Sequence, residues 1–477
     1  MKNLPKIISL LLLLLVTTSM PAQEDSIRTR LANAPIQEKV YLHLDNNCYF
    51  LGDTLWYRSY VVRADDLTPT DMSRIVYVEL VSPDGFVVER QQLIVSPDGY
   101  GAGDFVLSDS LYSGYYELRA YTRWMMNFNV TERPYNRIYR EEFYNRQMAK
   151  DFFRDYGSVY SRVIPVYEKP YQAGDYSLKD MRPRPRQRAL PVANPRLNVT
   201  FYPEGGNRII GTTQRIAFEV TNELGEAMNL TGTISGQTIV ADHMGRGVFT
   251  LSGDNPDEKA VFSYKGKTYS FDLPMSGNKG VALSLAQGMA QVKAIGLNVS
   301  SLTAAVLCRG ELKDYRSLTL DGTGSASWQL DFGKLPTGVC NLVVMNTQGQ
   351  MLADRLFFVN HHEKTARRIR IEGLKKEYAP YEAVNLKITP PEDVKTMSLA
   401  VRDNGEDCPT YDTGNILTDL LLSSDLKGFV ANPDYYFEAD DSLHQARLDL
   451  LLLVQGWRRY NVKDVMATKS LRYKPET

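Results

Sequence analysis

VYLHLDNNCYFLGDTLWYRSYVV, residues 40–62, alternates apolar and polar side chains on both sides of the turn Leu51-Gly52-Asp53-Thr54. A period of two puts successive side chains on opposite faces of an extended chain, so the stretch reads as strands joined by a tight loop. In TLWYRSYVV, Trp56, Arg58 and Tyr60 share one face, and Leu55, Tyr57 and Ser59 share the other. One face fills a core, and the other carries amphipathic rings suited to docking a neighbour. A cofactor cage needs rings converging from separate loops, which one strand does not supply.

The pattern continues downstream in RIVYVELVSPDG, FVVERQQLIV, GDFVLSD and YYELRAYTRWM, punctuated by Pro83-Asp84-Gly85, Pro97-Asp98-Gly99 and Ser113-Gly114. Strands every 10 to 15 residues with no helical pattern between them describe an antiparallel β-sandwich. It is expected over residues 37–140, after a short helix at 23–36 centred on Asp25 to Ala34. Residues 141–195, rich in Tyr, Arg and Pro, read as a linker, because the Arg/Pro alternation at 182–188 disfavours helix. Strand patterns resume as sandwiches at 196–275 and 276–362, and a fourth is expected at 363–477 from RRIRIEGL, EAVNLKITPP and MSLAVRDN. That last unit turns partly helical: Leu417, Leu420 and Leu421 share one helix face, and Leu448, Leu451 and Leu452 another. The fold class is mainly β, a tandem of antiparallel immunoglobulin-like sandwiches with a partly helical C-terminal segment.

The 477 residues hold 55 basic and 56 acidic side chains, so no net field draws the chain to nucleic acid or an anionic membrane. The start, MKNLPKIISLLLLLLVTTSMPAQ, has the positive, apolar and small-residue regions of a secretory signal peptide ending at Ala22. Export to the periplasm, the outer membrane or the cell surface is expected, with no transmembrane segment after cleavage. Cys308 and Cys340 bracket two strand patterns, and either a cross-strand disulfide or two separate buried thiols fits them.

Catalytic signatures find no support. There is no HExxH, no GxSxG and no CxxC. Gly99-Tyr100-Gly101-Ala102-Gly103 leads into a strand rather than a helix N-terminus, and a phosphate loop needs the latter. No catalytic, cofactor or metal residue is expected. Pro203-Glu204-Gly205-Gly206-Asn207 reads as a structural corner whose Glu204 and Asn207 are candidates to face a partner.

Several long stretches resemble a known family in order. EKVYLHLDNNCYFLGDTLWYRSYVV, SRIVYVELVSPDGFVVERQQLIV and GAGDFVLSDSLYSGYYELRAYTRWMMNF look like the macroglobulin MG2 domain of the alpha-2-macroglobulin superfamily. With FYPEGGNRIIGTTQRIAFEVTNELG and LDLLLLVQGWRRY, the chain is similar to exported MG2-domain proteins of Bacteroidetes. Leu51 stands where the usual Pro precedes the Gly-Asp turn. The resemblance implies tandem macroglobulin-type sandwiches and, in longer relatives, a following TonB-receptor plug domain. It makes this chain, which stops at Thr477, a short or truncated version. No cysteine is followed by Gly-Glu-Gln, so the superfamily's thioester trap does not carry over.

The function expected is a non-enzymatic exported scaffold that binds envelope proteins, with a TonB-dependent receptor as the partner the resemblance suggests. Trp56, Arg58 and Tyr60 are its docking candidates. The alternative is a non-covalent endopeptidase inhibitor of macroglobulin type. Carbohydrate binding rests on tyrosine abundance alone.

Overall fold

The computed structural model describes residues 26–83, 85–128, 159–172, 175–181, 196–223, 225–252, 258–362, 369–394, 396–402, 413–456, 460, 462 and 470–477. The signal peptide at 1–22, the Arg/Pro run at 182–188 and Cys408 lie outside them.

The first sandwich is built from β1 (Glu38–Leu44), β2 (Tyr49–Phe50), β3 (Thr54–Arg63), β4 (Ile75–Val81), β5 (Val87–Ile94), β6 (Tyr100–Val106), β7 (Gly114–Tyr121) and β8 (Tyr160–Tyr167). Sheet order β1-β3-β6 faces order β2-β8-β7-β4-β5. Between them lie Leu42, Leu55, Val61, Val78, Leu80, Phe105, Tyr116 and Leu118, all buried. The Pro-Asp-Gly corner after β5 carries the chain from one sheet to the other. Gly99 sits there at φ +77, where an added Cβ would meet the Val61 carbonyl oxygen at 2.7 Å. β8 corrects the sequence reading: it falls inside the stretch taken as a linker, yet pairs antiparallel with β7 and parallel with β2. YSRVIPVY runs apolar from Val163 to Tyr167 instead of alternating, so a period-two pattern does not mark it.

The second sandwich comprises β9 (Leu197–Pro203), β10 (Arg208–Ile209), β11 (Thr213–Asn222), β12 (Thr231–Ile234), β13 (Gln237–Val240), β14 (Arg246–Ser252), β15 (Lys259–Tyr264), β16 (Lys267–Asp272) and β17 (Ser276–Gly277). Order β14-β11-β9 packs on order β13-β12-β15-β16. Phe218 is in ring contact with Phe201, Phe249 and Phe262 at the centre.

The third has β18 (Gly280–Ala286), β19 (Met289–Ile295), β20 (Ser301–Cys308), β21 (Glu311–Thr319), β22 (Ser325–Gln329), β23 (Gly338–Met345) and β24 (Met351–Val359). Order β18-β19-β22 faces order β21-β20-β23-β24. Nearly every residue of β20 and β23 is buried. Such strands need cover on both faces. The second cover is helical. Helix α1 (residues 26–32) buries Ile27 and Leu31 against Ala305, Leu307, Val343 and Met345.

Three further helices complete that layer: α2 (Ile416–Leu421), α3 (Tyr435–Glu438) and α4 (Ser442–Val454). Asn415 caps α2 by accepting from the Leu417 and Thr418 amides, and Asp441 caps α4 by accepting from the His444 amide. α4 is apolar on two faces. Leu448, Leu451 and Leu452 pack on Val339 and Leu356 of the third sandwich, while Leu450, Leu453 and Val454 pack on Ala217 of the second. A helix buried on two sides is what a run of four leucines serves.

No fourth sandwich closes among the described residues. Only β25 (Arg370–Glu372) and β26 (Lys387–Thr389) pair, through three residue pairs, and no buried core covers them. Strands that short bury too little to hold a sheet pair on their own.

Candidate interaction surface

The outer face of β1-β3-β6 begins with Lys39, Tyr41 and His43, whose cross-strand partners are Val62, Tyr60 and Arg58. Trp56, Arg58 and Tyr60 do share this face, and Leu55, Tyr57 and Ser59 turn into the core. The arginine lies with its guanidinium 3.8 Å from the centre of the Tyr100 ring and 5.3 Å from that of Tyr60.

This face already has a neighbour: another part of the same chain. Arg58 Nη1 donates to the Met397 carbonyl at 3.0 Å, and the Tyr60 hydroxyl meets the Ser398 hydroxyl at 2.7 Å. His43 Nδ1 shares that hydroxyl. Burial, aided by the charges of Arg162 and Arg58, lowers the His43 pKa, so its imidazole is neutral at pH 7. Further along, the fully buried Lys39 ammonium donates to the Leu420 carbonyl at 2.7 Å and to Asp425 at 2.5 Å. Arg58 and Tyr60, expected to meet a partner, are thus contacted by another part of the same chain. Trp56, 56% exposed, is the member left facing solvent.

The Glu204 corner divides likewise. Asn207 is exposed, and its carbonyl accepts from Gln214 Nε2 at 2.8 Å. Glu204, expected to face an outside partner, is 2% exposed and turns inward. Its Oε1 accepts from Arg355 Nε at 2.9 Å and from the Leu285 amide at 3.3 Å. Arg355 reaches Asp449 of α4 at 2.6 Å, and Asp449 takes a second bond from Arg215 at 3.0 Å. Two sandwiches and one helix thus meet on four charged side chains. Gly205 makes the approach feasible. At φ +83, any Cβ on it would lie 3.1 Å from the Leu283 backbone. Clefts of about 380 and 470 Å³ flank the corner, and Glu204 lines both.

Cys308 and Cys340 stand opposite each other across β20 and β23, both buried and both thiols. Their register meets the spacing a cross-strand disulfide requires. Its hydrogen bond to Cys308, together with burial, holds the Cys340 thiol well above its ordinary range.

Three features carry no sequence signal: the Lys39–Asp425 pair, the Arg355–Asp449 pair and the strap at Met397–Ser398. The nearly unbroken burial of β20 and β23 had one, since apolar runs without alternation announce cover on both faces.

No family model and no curated protein matches the chain. Among solved structures it aligns with Salmonella alpha-2-macroglobulin reacted with methylamine at 12% identity and TM-score 0.19, over 75% of this chain and 26% of that one. Dimeric latent PorU from Porphyromonas gingivalis aligns at 12% identity and TM-score 0.23, over 68% of this chain and 34% of that one. The Escherichia coli adhesin FdeC aligns at 10% identity and TM-score 0.17, over 68% of this chain and 98% of that one. The chain spans about a quarter of the length of the macroglobulin it matches. At these TM-scores the likenesses carry no argument, and the tandem sandwiches rest on the strand pairing of this chain itself.

Proposed function

We propose that this chain is a non-enzymatic, exported scaffold that binds protein partners in the bacterial envelope, in a system of TonB-dependent outer-membrane transport. The observation that carries the reading is strand β5. It ends the order β2-β8-β7-β4-β5, and most of its eight residues are exposed. Val87 and Val88 are exposed on it, Phe86 just before it, and Ile94 is 82% exposed. Edge strands are ordinarily short, charged or covered, because their free amides and carbonyls pair with any extended chain that reaches them. A long edge flanked by apolar side chains suits strand addition by a partner, with main-chain bonds giving affinity and side chains giving selectivity.

The test is photo-crosslinking in envelope extract from a probe at Val88, with Ile94→Lys and Gln92→Pro as edge-blocking variants. A discrete adduct that both variants abolish supports the scaffold reading. Absence of any specific adduct, or one that persists unchanged in both variants, overturns it.

A further inference from the structure

Residues 470–477 lie on the outer face of the first sandwich, and the contacts they make are those of a bound peptide. The Asn127 side chain grips the main chain of Tyr473 twice: its Nδ2 donates to the Tyr473 carbonyl at 2.9 Å, and its Oδ1 accepts from the Tyr473 amide at 2.9 Å. Three residues on, the Arg74 amide donates to the Glu476 carbonyl at 2.6 Å. The Glu476 carboxylate accepts from Arg123 Nη1 at 3.0 Å and from the Tyr77 hydroxyl at 3.1 Å. The Arg123 guanidinium also lies 5.7 Å from the centre of the Tyr473 ring. Leu471, Arg472, Lys474 and Thr477 are exposed, so the site holds one tyrosine and one glutamate three positions apart.

The groups that do the holding belong to a rigid frame. Tyr77 stacks on Tyr121 with ring centres 5.4 Å apart, and Trp124, one residue from Arg123, donates to the Ile36 carbonyl at 2.8 Å. The occupant has no secondary structure of its own. Its ion pair is partly solvated, with Arg123 54% exposed, which keeps the attachment weak enough to exchange. Its fit is also incomplete. Glu476 Oε2 is buried without a hydrogen-bond partner among the described residues. The site also adjoins the open edge: Arg74 immediately precedes β4, and its carbonyl accepts from the Val95 amide just beyond β5.

We propose that this face is a recognition site for an extended Tyr-x-x-Glu segment of a partner polypeptide, occupied in cis by Tyr473 to Glu476. The inference rests on the scaffold reading and names the partner's chemistry. A tethered occupant competes at a high effective concentration, so the chain's own segment sets a threshold that a partner must exceed.

The experiment uses the full chain with Tyr473→Ala and Glu476→Ala, and a fluorescent peptide LRYKPET, amidated at its C-terminus, followed by anisotropy. The vacated chain is expected to bind the peptide at least tenfold more tightly than the unsubstituted chain. Adding Arg123→Glu or Asn127→Ala is expected to return binding to the level of a scrambled peptide. No saturable binding to a vacated chain that melts as the parent does overturns the proposal, as does equal binding to both chains. Should the vacated chain melt early, a peptide with a photoreactive ring at the tyrosine position is crosslinked to the unsubstituted chain. Adducts within residues 74–77 or 123–127 support the site, and adducts elsewhere overturn it. Absence of any specific adduct from the Val88 probe with retained peptide binding would fault the scaffold reading alone, and the reverse would fault this one.

Discussion

At the scale of single residues, most of the ionisable groups that converge from distant parts of the chain hold its modules together. Lys39 and Asp425 lie 386 positions apart in sequence and form a pair with side chains 0% and 2% exposed. Taking such charges out of water is costly, and their mutual attraction repays it only while both are present. Lys39→Met is therefore expected to destabilise the first unfolding transition in urea by about 3–5 kcal/mol, because Asp425 is left buried and unpaired. Adding Asp425→Leu should recover most of that loss. A single variant as stable as the parent would show that the pair is not desolvated in solution. Glu38 is held differently. It accepts from the Ser73 amide, the Ser73 and Thr122 hydroxyls, and Thr70, so its charge is met by dipoles.

At the scale of elements, the seam between α3 and the second sandwich contains a titrating group. His243 stacks on Tyr435 with ring centres 4.5 Å apart, and Tyr435 stacks in turn on His444 at 4.6 Å. Burial lowers the His243 pKa from 6.5 to about 4, reinforced by the positive charges of Arg447 and Arg246 and opposed by Asp242. Between those two pH values the unfolded chain binds a proton that the folded chain refuses. Stability from this site is thus whole above pH 6.5 and is lost as the pH falls towards 4. Thermal melts from pH 7.5 to 4.5 are expected to fall more steeply for the parent than for His243→Gln, with the curves converging at the upper end. Identical pH slopes would remove His243 from this role. The strands around the seam were legible from period-two patterning, and the helices from leucine spacing and caps. β8 is not, because its apolar run does not alternate and it lies in a stretch rich in Tyr, Arg and Pro. The fourth sandwich does not form among the described residues, because alternation specifies a strand but not the sheet that must cover it.

At the scale of the whole molecule, α4 and the charged group around Glu204 join the second and third sandwiches, while the Lys39–Asp425 pair and the strap at Met397–Ser398 bind the first to the C-terminal region. Leu453→Asp with Asp449→Ala removes one apolar contact and two ionic contacts at the α4 seam. Small-angle scattering is expected to show a larger radius of gyration and a longer maximum dimension for that variant, with far-ultraviolet circular dichroism unchanged. An unaltered scattering curve would mean that the modules are held by something else. Local sequence settles the β class, the period-two faces, the turn positions, and the division of β3 into a core side and a Trp56-Arg58-Tyr60 side, because these depend on steric preferences within a few residues. What covers each face is set by the assembled fold: Met397 and Ser398 occupy the Arg58 and Tyr60 side, Glu204 turns inward to Arg355, and Tyr473 and Glu476 return to Asn127 and Arg123. Such contacts join residues more than a hundred positions apart, where no local periodicity constrains the pairing and burial and charge complementarity across the assembled modules select the partner.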